Sequence, residues 1–292
     1  MAHINIFSVG RRAGVLALML SAALVAGISP AAPAHGAVAR TSAVARPASF
    51  TAGGILNAVA ATSARNAWAV GQTVMLPGGS KTLIAHWNGA VWRRVPGPAT
   101  AAGAGLEGVA ATSARTAWAV GCTSCLTSFQ RILIERWNGT AWRRVPSPNP
   151  AGGGVLIGVA VTSATSAWAV GYSTASPAQP LMLRWDGIKW RQVPGPRLPR
   201  GDANLYGVSA ISAGNARAVG CISDRTPRPV ILRWNGMTWN QMASPNIGSA
   251  SLYAVAVIAG RAWAVGQTGS YYNLKPKTVV LGWNGIACTR SG

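Results

Sequence analysis

Acidic and imidazole side chains are almost missing from this sequence. Of 292 residues only 5 are Asp or Glu and 3 are His, against 26 Lys+Arg, which leaves a formal net charge of +21. General acid–base hydrolysis, metal catalysis and phosphoryl transfer draw on carboxylates and histidines, so the scarcity argues against all three. The acids are Glu107, Glu135, Asp186, Asp202 and Asp224, and no spacing brings two of them together. Glycoside hydrolysis uses two facing carboxylates roughly 5–10 Å apart. Glu135 sits beside Arg136, which reads as a surface ion pair, and His86 falls in a column with Arg136, Arg184 and Arg233, which reads as a surface position. No glycine-rich phosphate loop occurs, since the glycines fall at repeat turns. No cofactor is expected.

Cysteine is also sparse. The four are Cys122, Cys125, Cys221 and Cys288, and four cysteines allow three pairings among which sequence does not choose. Cys122 and Cys125 could close a small disulfide loop. As half of a zinc site they would need two further ligands, so no metal is expected. Only one long apolar run is present. Arg11 and Arg12 precede an apolar stretch from Ala13 to Ile28, and Ala37-Val38-Ala39 follows as an A-x-A cleavage site. Residues 1–39 therefore read as a signal peptide, and residues 40–292 as the exported, secreted domain, with no membrane span after cleavage. Such a destination permits disulfides.

What the chain has in quantity is tryptophan, glycine and repetition, with 13 Trp, 35 Gly and 49% hydrophobic residues. The string AWAVG places a Trp at Trp68, Trp118, Trp168 and Trp263, and ARAVG puts Arg217 in the same column. A W-[ND]-G marker begins at Trp87, Trp137, Trp185, Trp234 and Trp283, at intervals of 50, 48, 49 and 49 residues. A third column holds Trp92, Trp142, Trp190, Trp239 and, in the last unit, Cys288. All tryptophans fall on these columns, so they belong first to the architecture.

Each unit reads as four short strands. The LxGVAAT segment (Leu56 to Thr62 in the first unit) leads to AWAVG, then to a third strand such as Thr82 to Trp87, then to a fourth such as Val91 to Val95. Asn-Gly or Asp-Gly between the last two predicts a tight hairpin with positive φ at both turn positions. Repeated four-stranded units of this length predict an all-β fold, a β-propeller of about five four-stranded blades. The blades fall near 51–97, 101–147, 151–195, 201–244 and 248–292. Residues 41–50 are expected to supply a closing strand for the last blade, the rival reading being a shortened form of a larger propeller.

On these motifs the chain resembles a group of secreted actinobacterial repeat proteins, whose unit runs L-x-G-V-A-A-x-S-A-x-D-A-W-A-V-G, H-W-N-G-T-x-W and V-P-S-P-N-P. Leu106 to Gly121, Arg136 to Trp142 and Val145 to Pro150 carry it most fully. The resemblance covers roughly residues 41–292 and implies an exported propeller, loosely similar to kelch, galactose-oxidase-like and Asp-box propellers, without implying a reaction. The Asp that precedes A-W-A-V-G in that pattern is Asn66, Thr116, Ser166 and Asn215 here.

Two sets of candidate binding residues emerge. Arg93, Arg94, Arg136, Arg143, Arg144, Arg184, Arg191 and Arg233 lie on third and fourth strands and predict a basic rim. Sequence variation concentrates between second and third strands, where loops on a rigid scaffold collect binding residues: Phe129, Tyr172, Arg225, Arg228, Tyr271, Tyr272, Lys275 and Lys277. The expectation is a monomeric, non-catalytic binding or scaffold propeller. Its partner would be an anionic cell-wall polymer, a neutral glycan or another protein, with no sequence-specific nucleic acid. The alternatives are a secreted carbohydrate-active hydrolase or lyase, using Glu107 and Glu135, and a structural repeat protein without ligand.

Overall fold

Alternating apolar and polar positions, broken by glycine and proline, give strands. The computed structural model describes residues 50–74, 79–100, 102–127, 129–223, 226–269, 275–284 and 288–290; the leader at 1–39 and the segment 41–49 lie outside this set. Among the described residues twenty strands form five sheets of four, each an antiparallel meander in chain order. Blade 1 comprises β1 (Gly54–Ser63), β2 (Asn66–Thr73), β3 (Thr82–Trp87) and β4 (Trp92–Arg94). Blade 2 comprises β5 (Gly105–Ser113), β6 (Thr116–Thr123), β7 (Arg131–Trp137) and β8 (Trp142–Arg144). Blade 3 comprises β9 (Gly154–Ser163), β10 (Ser166–Ser173), β11 (Pro180–Trp185) and β12 (Trp190–Gln192). Blade 4 comprises β13 (Asp202–Ser212), β14 (Asn215–Ser223), β15 (Arg228–Trp234) and β16 (Trp239–Gln241). Blade 5 comprises β17 (Ala250–Ile258), β18 (Arg261–Thr268), β19 (Thr278–Trp283) and β20 (Cys288–Arg290). The fourth strand of blade 5 is thus β20.

The glycine of AWAVG has a steric cause. A Cβ added at Gly71, Gly121, Gly171, Gly220 or Gly266 would lie 1.9–2.0 Å from a backbone carbonyl oxygen of the neighbouring inner strand. No side chain fits there, so the motif repeats in all five blades. Each inner strand then bulges, at Asn57, Glu107, Ile157, Tyr206 and Tyr253, where the register with the second strand slips by one residue.

The Asn-Gly turns differ from the expected two-residue hairpin. Trp87 pairs with Trp92 across a four-residue loop, and positive φ is confined to the glycine, as at Gly89 (96°) and Gly139 (97°). The Asn88 side chain accepts N–H bonds from Ala90 and Val91 at 3.0 Å and does the work assigned to a left-handed residue. Asp186 does the same for Ile188 and Lys189, which is why Asp substitutes for Asn. These bonds, with that from Arg191, hold its carboxyl below the usual carboxylate range. The W-[ND]-G tryptophan then pins this turn: Trp87, Trp137, Trp185 and Trp234 donate indole N–H bonds to Ala64, Ala114, Ala164 and Ala213 carbonyls in the β1–β2-type turn of the same blade.

Blades join through tryptophan. Trp68 meets Trp137 and Trp142 of blade 2 at 4.8 and 5.1 Å, Trp118 meets Trp185 and Trp190 of blade 3, and Trp168 meets Trp234 and Trp239 of blade 4. Arg217 replaces tryptophan at the last of these interfaces and lies over Trp283. Inner strands pack in the order β1, β5, β9, β13, β17. Among the described residues, an open seam lies between blade 5 and blade 1. Trp263 is 37% exposed where Trp118 is fully buried, and Leu56 is 45% exposed where Leu106 is fully buried.

Candidate functional site

The bulges define the site. A β-bulge re-aims a side chain, and the bulged residues Glu107, Ile157 and Tyr206 line one cavity where the inner strands converge. Asn57 Nδ2 donates to the Leu106 carbonyl of the next blade at 2.9 Å. The Tyr206 and Tyr253 rings meet at 5.7 Å. Below the bulges the inner strands approach so closely that a Cβ at Gly108 would lie 2.5 Å from the Ile157 carbonyl oxygen, and one at Gly207 would lie 2.8 Å from that of Tyr253. The axial cavity is lined by Glu107, Ile157 and Tyr206 together with Ala58, Val109, Val159, Val208 and Val255. Its volume is about 60 Å³.

Around this mouth the second strands end in Tyr172 and Cys221. The Cys221 thiol faces the Tyr206 hydroxyl at 3.8 Å and Ser223 Oγ at 3.4 Å. Burial pushes the Tyr206 phenol well above its ordinary range, and burial also raises that of Tyr253. Tyr172 packs against the Cys122–Cys125 disulfide and Val155. Sequence reasoning missed Asn57, Ile157, Tyr206 and Tyr253. The signal was the single variable position inside the otherwise constant L-x-[GA]-V segment.

The loops between second and third strands share a face with the proline-rich connections. Backbone bonds tie Ser80 to Gly103, Gln130 to Gly154, Ala178 to Ala203 and Pro227 to Ala250. Of the loop candidates, Tyr172 lies in β10, half-buried against the Cys122–Cys125 disulfide. Phe129 stands out at 77% exposure, Arg228 donates to the Arg200 carbonyl at 2.9 Å, and Lys275 and Lys277 are exposed. Arg225, Tyr271 and Tyr272 lie outside the described residues.

The basic rim needs correction at two positions. Arg93, Arg94, Arg143, Arg144, Arg191 and Arg233 are exposed. Arg136 instead lies over the Trp118 and Trp185 rings at 5.1 and 5.6 Å, and Arg184 lies over Trp168 and Trp234, each at 5.7 Å. A guanidinium between two indoles gains cation–π energy and covers apolar surface. Arg233 escapes this fate because the opposite residue of β14 is Arg217.

Two further expectations are overturned. His86 is half-buried on Trp68 at 4.2 Å and hydrogen-bonded to Asn66 Oδ1 at 2.8 Å, and burial lowers its pKa. Glu135 makes no surface ion pair. It is fully buried, and both carboxyl oxygens lack a hydrogen-bond partner. Burial pushes its pKa up to about 7, opposed by the charge of Arg144. It lies in β7, two strands from the axis, about 10 Å from the inner strand at ordinary strand spacing, so it does not line the cavity with Glu107. Among the described residues no group of three or more His, Cys, Asp or Glu could hold a metal ion, and no helix is long and apolar enough to cross a membrane.

These features define a β-propeller with an open seam, a narrow axial cavity and an arginine-bearing periphery. Solved structures agree at the level of fold. The chain is similar to a fungal lectin from Aleuria aurantia described as a six-bladed β-propeller with a fucose recognition mode, at 12% identity over 82% of this chain and 78% of that one, TM-score 0.51. It is similar also to SapL1 lectin in complex with alpha methyl fucoside, at 14% identity over 82% and 79%, TM-score 0.54, and to YjhT at 10% identity over 78% and 81%, TM-score 0.51. No protein-family model and no curated protein sequence matches the chain.

Proposed function

We propose that this protein is an exported, non-catalytic propeller that binds an anionic extracellular polymer, such as a charged cell-wall glycan, along its arginine rim. The observation that carries this reading is the exposure of the arginine pairs Arg93 and Arg94 on β4 and Arg143 and Arg144 on β8. Little opposes it among the described carboxylates. Glu135 is buried, Glu107 lines the cavity, Asp202 accepts a bond from the Ala178 N–H, and Asp186 is held by Arg191 at 2.6 Å. Closely set like charges on a rigid edge attract a polyanion over long range. The Cys122–Cys125 disulfide fits an oxidising, extracellular compartment. Catalytic glycan cleavage is disfavoured because Glu107 and Glu135 lie in different parts of the fold.

The test is retention of the purified protein on immobilised anionic and neutral polysaccharides across a salt series. From about 0.05 M to about 1 M salt the screening length falls to about 3 Å, so retention on the anionic polymer should fade steeply. Replacing Arg93, Arg94, Arg143 and Arg144 by alanine should abolish it. Salt-resistant retention on a neutral glycan, or no retention on either polymer, would overturn the reading.

A further inference from the structure

The hairpin between third and fourth strands has one outward position that the turn itself leaves open to choice. Ala90 fills it in blade 1, Thr140 in blade 2, Ile188 in blade 3 and Met237 in blade 4. In each case the backbone N–H donates to the Asn or Asp that opens the loop, at 2.9–3.0 Å. Alanine or threonine therefore builds this turn as well as isoleucine or methionine does. Yet Ile188 is 85% and Met237 82% exposed, the highest values for large apolar side chains among the described residues. Neither adds burial to the core, so folding gives no reason for their apolarity.

Exposed apolar residues scattered singly are ordinary. These two share one turn position on adjacent blades, which Trp168 joins through Trp234 and Trp239, so they stand on the same face. The turns between first and second strands lie on that face too, tied to the hairpins by the Trp185 and Trp234 indole bonds. Exposed Arg115 and Arg261 occupy such turns on the flanking blades 2 and 5, and exposed Lys189 follows Ile188 directly. Of the described carboxylates only Asp186 is exposed here, and it is held by Arg191 and two backbone N–H groups.

Apolar tips on separate turns, with cations around them, do not form the continuous packed patch that a stable protein contact uses. They suit a bilayer, whose headgroup–acyl boundary yields around each tip while lipid phosphates meet the cations. We propose that the turn face of blades 3 and 4 docks on an anionic phospholipid bilayer. Ile188 and Met237 enter the headgroup–acyl boundary, and Lys189, Arg115 and Arg261 meet the phosphates. This surface is separate from the arginine pairs of blades 1 and 2 to which the polymer is assigned.

The experiment is co-sedimentation of the purified protein with vesicles of phosphatidylcholine alone and of phosphatidylcholine and phosphatidylglycerol in equal parts. The mixed vesicles should retain the protein and the neutral ones far less. Combining Ile188→Thr with Met237→Thr installs the residue that blade 2 carries at this position, so the turns are kept, and it should weaken partition by at least about tenfold. Lys189→Glu should weaken binding to the mixed vesicles. Phe129→Ser, which removes an exposed apolar side chain from a loop on the opposite face, should leave it unchanged. Thermal midpoints confirm that each variant is folded. Absence of binding by the unaltered protein overturns the inference and leaves the tips to a protein partner. Equal binding to neutral vesicles overturns it, as does undiminished binding by the folded double substitution. The unaltered protein alone decides between anionic and neutral lipid, so misfolding of a variant leaves the outcome determined. The double substitution should keep its retention on anionic polysaccharide, so this inference and the polymer reading fail separately.

Discussion

Glu135 occupies a column that leucine fills at Leu183, Leu232 and Leu281. Its carboxyl is buried and its pKa is pushed up to about 7. The folded state therefore holds the proton more tightly than the unfolded chain, whose carboxyl releases it near 4.5. Stability is greatest below the unfolded value and is lost as pH rises through the folded one, by roughly 3 kcal/mol at most. Denaturation midpoints of the native sequence should accordingly decline between about pH 5 and pH 8. Glu135→Leu should flatten that profile and raise stability at pH 8 by about 1–3 kcal/mol. A profile unchanged by the substitution would show that the carboxylate finds a partner in solution. At this scale the sequence misled for a physical reason. Alternation places Glu135 beside Arg136 in the chain, but successive strand residues point to opposite faces, so the two side chains enter different blade interfaces.

Strands and turns follow from steric rules that act locally, and they were the most legible level. Thr82–Trp87, a third strand, was read with the bounds the structure has, and the inner strands β1, β5 and β9 run one or two residues further at each end than their LxGVAAT-type segments suggested. Residue columns could be assigned from the repeat, but the cause of the AWAVG glycine could not, because the atom that excludes a side chain belongs to another strand. Gly121→Ala would put a Cβ 2.0 Å from the Gly105 carbonyl oxygen. It should destabilise by about 3 kcal/mol or more, read as a lowered urea midpoint. Gly53→Ala, whose nearest neighbour is Val74 Cγ2 at 3.8 Å, should change little. Equal effects of the two substitutions would refute the steric account. The Asn-Gly hairpins teach a related lesson. The dipeptide correctly announced a turn, yet an asparagine side chain that accepts two backbone N–H bonds allows a four-residue loop without a left-handed asparagine.

For the whole molecule the open seam sets the energetics. Trp118 is sealed between Trp185, Trp190 and Arg136, whereas Trp263 faces solvent at 37% exposure. Trp118→Ala should cost about 3–5 kcal/mol and Trp263→Ala less than half as much, measured by chemical denaturation. Equal losses would mean that the blade 5 face is covered in solution.

The sequence by itself determined the strands, the five-fold repetition, the tryptophan columns and the basic character of the fourth strands, because period, turn chemistry and composition are local properties. It also singled out Glu107 without revealing what surrounds it. Only the tertiary structure decided that Arg136 and Arg184 are stacked between indoles, that Glu135 is buried, and that Tyr206 lines one cavity with Glu107. Those outcomes depend on which blade lies against which, and residues about 49 positions apart meet only when the blades are stacked around an axis.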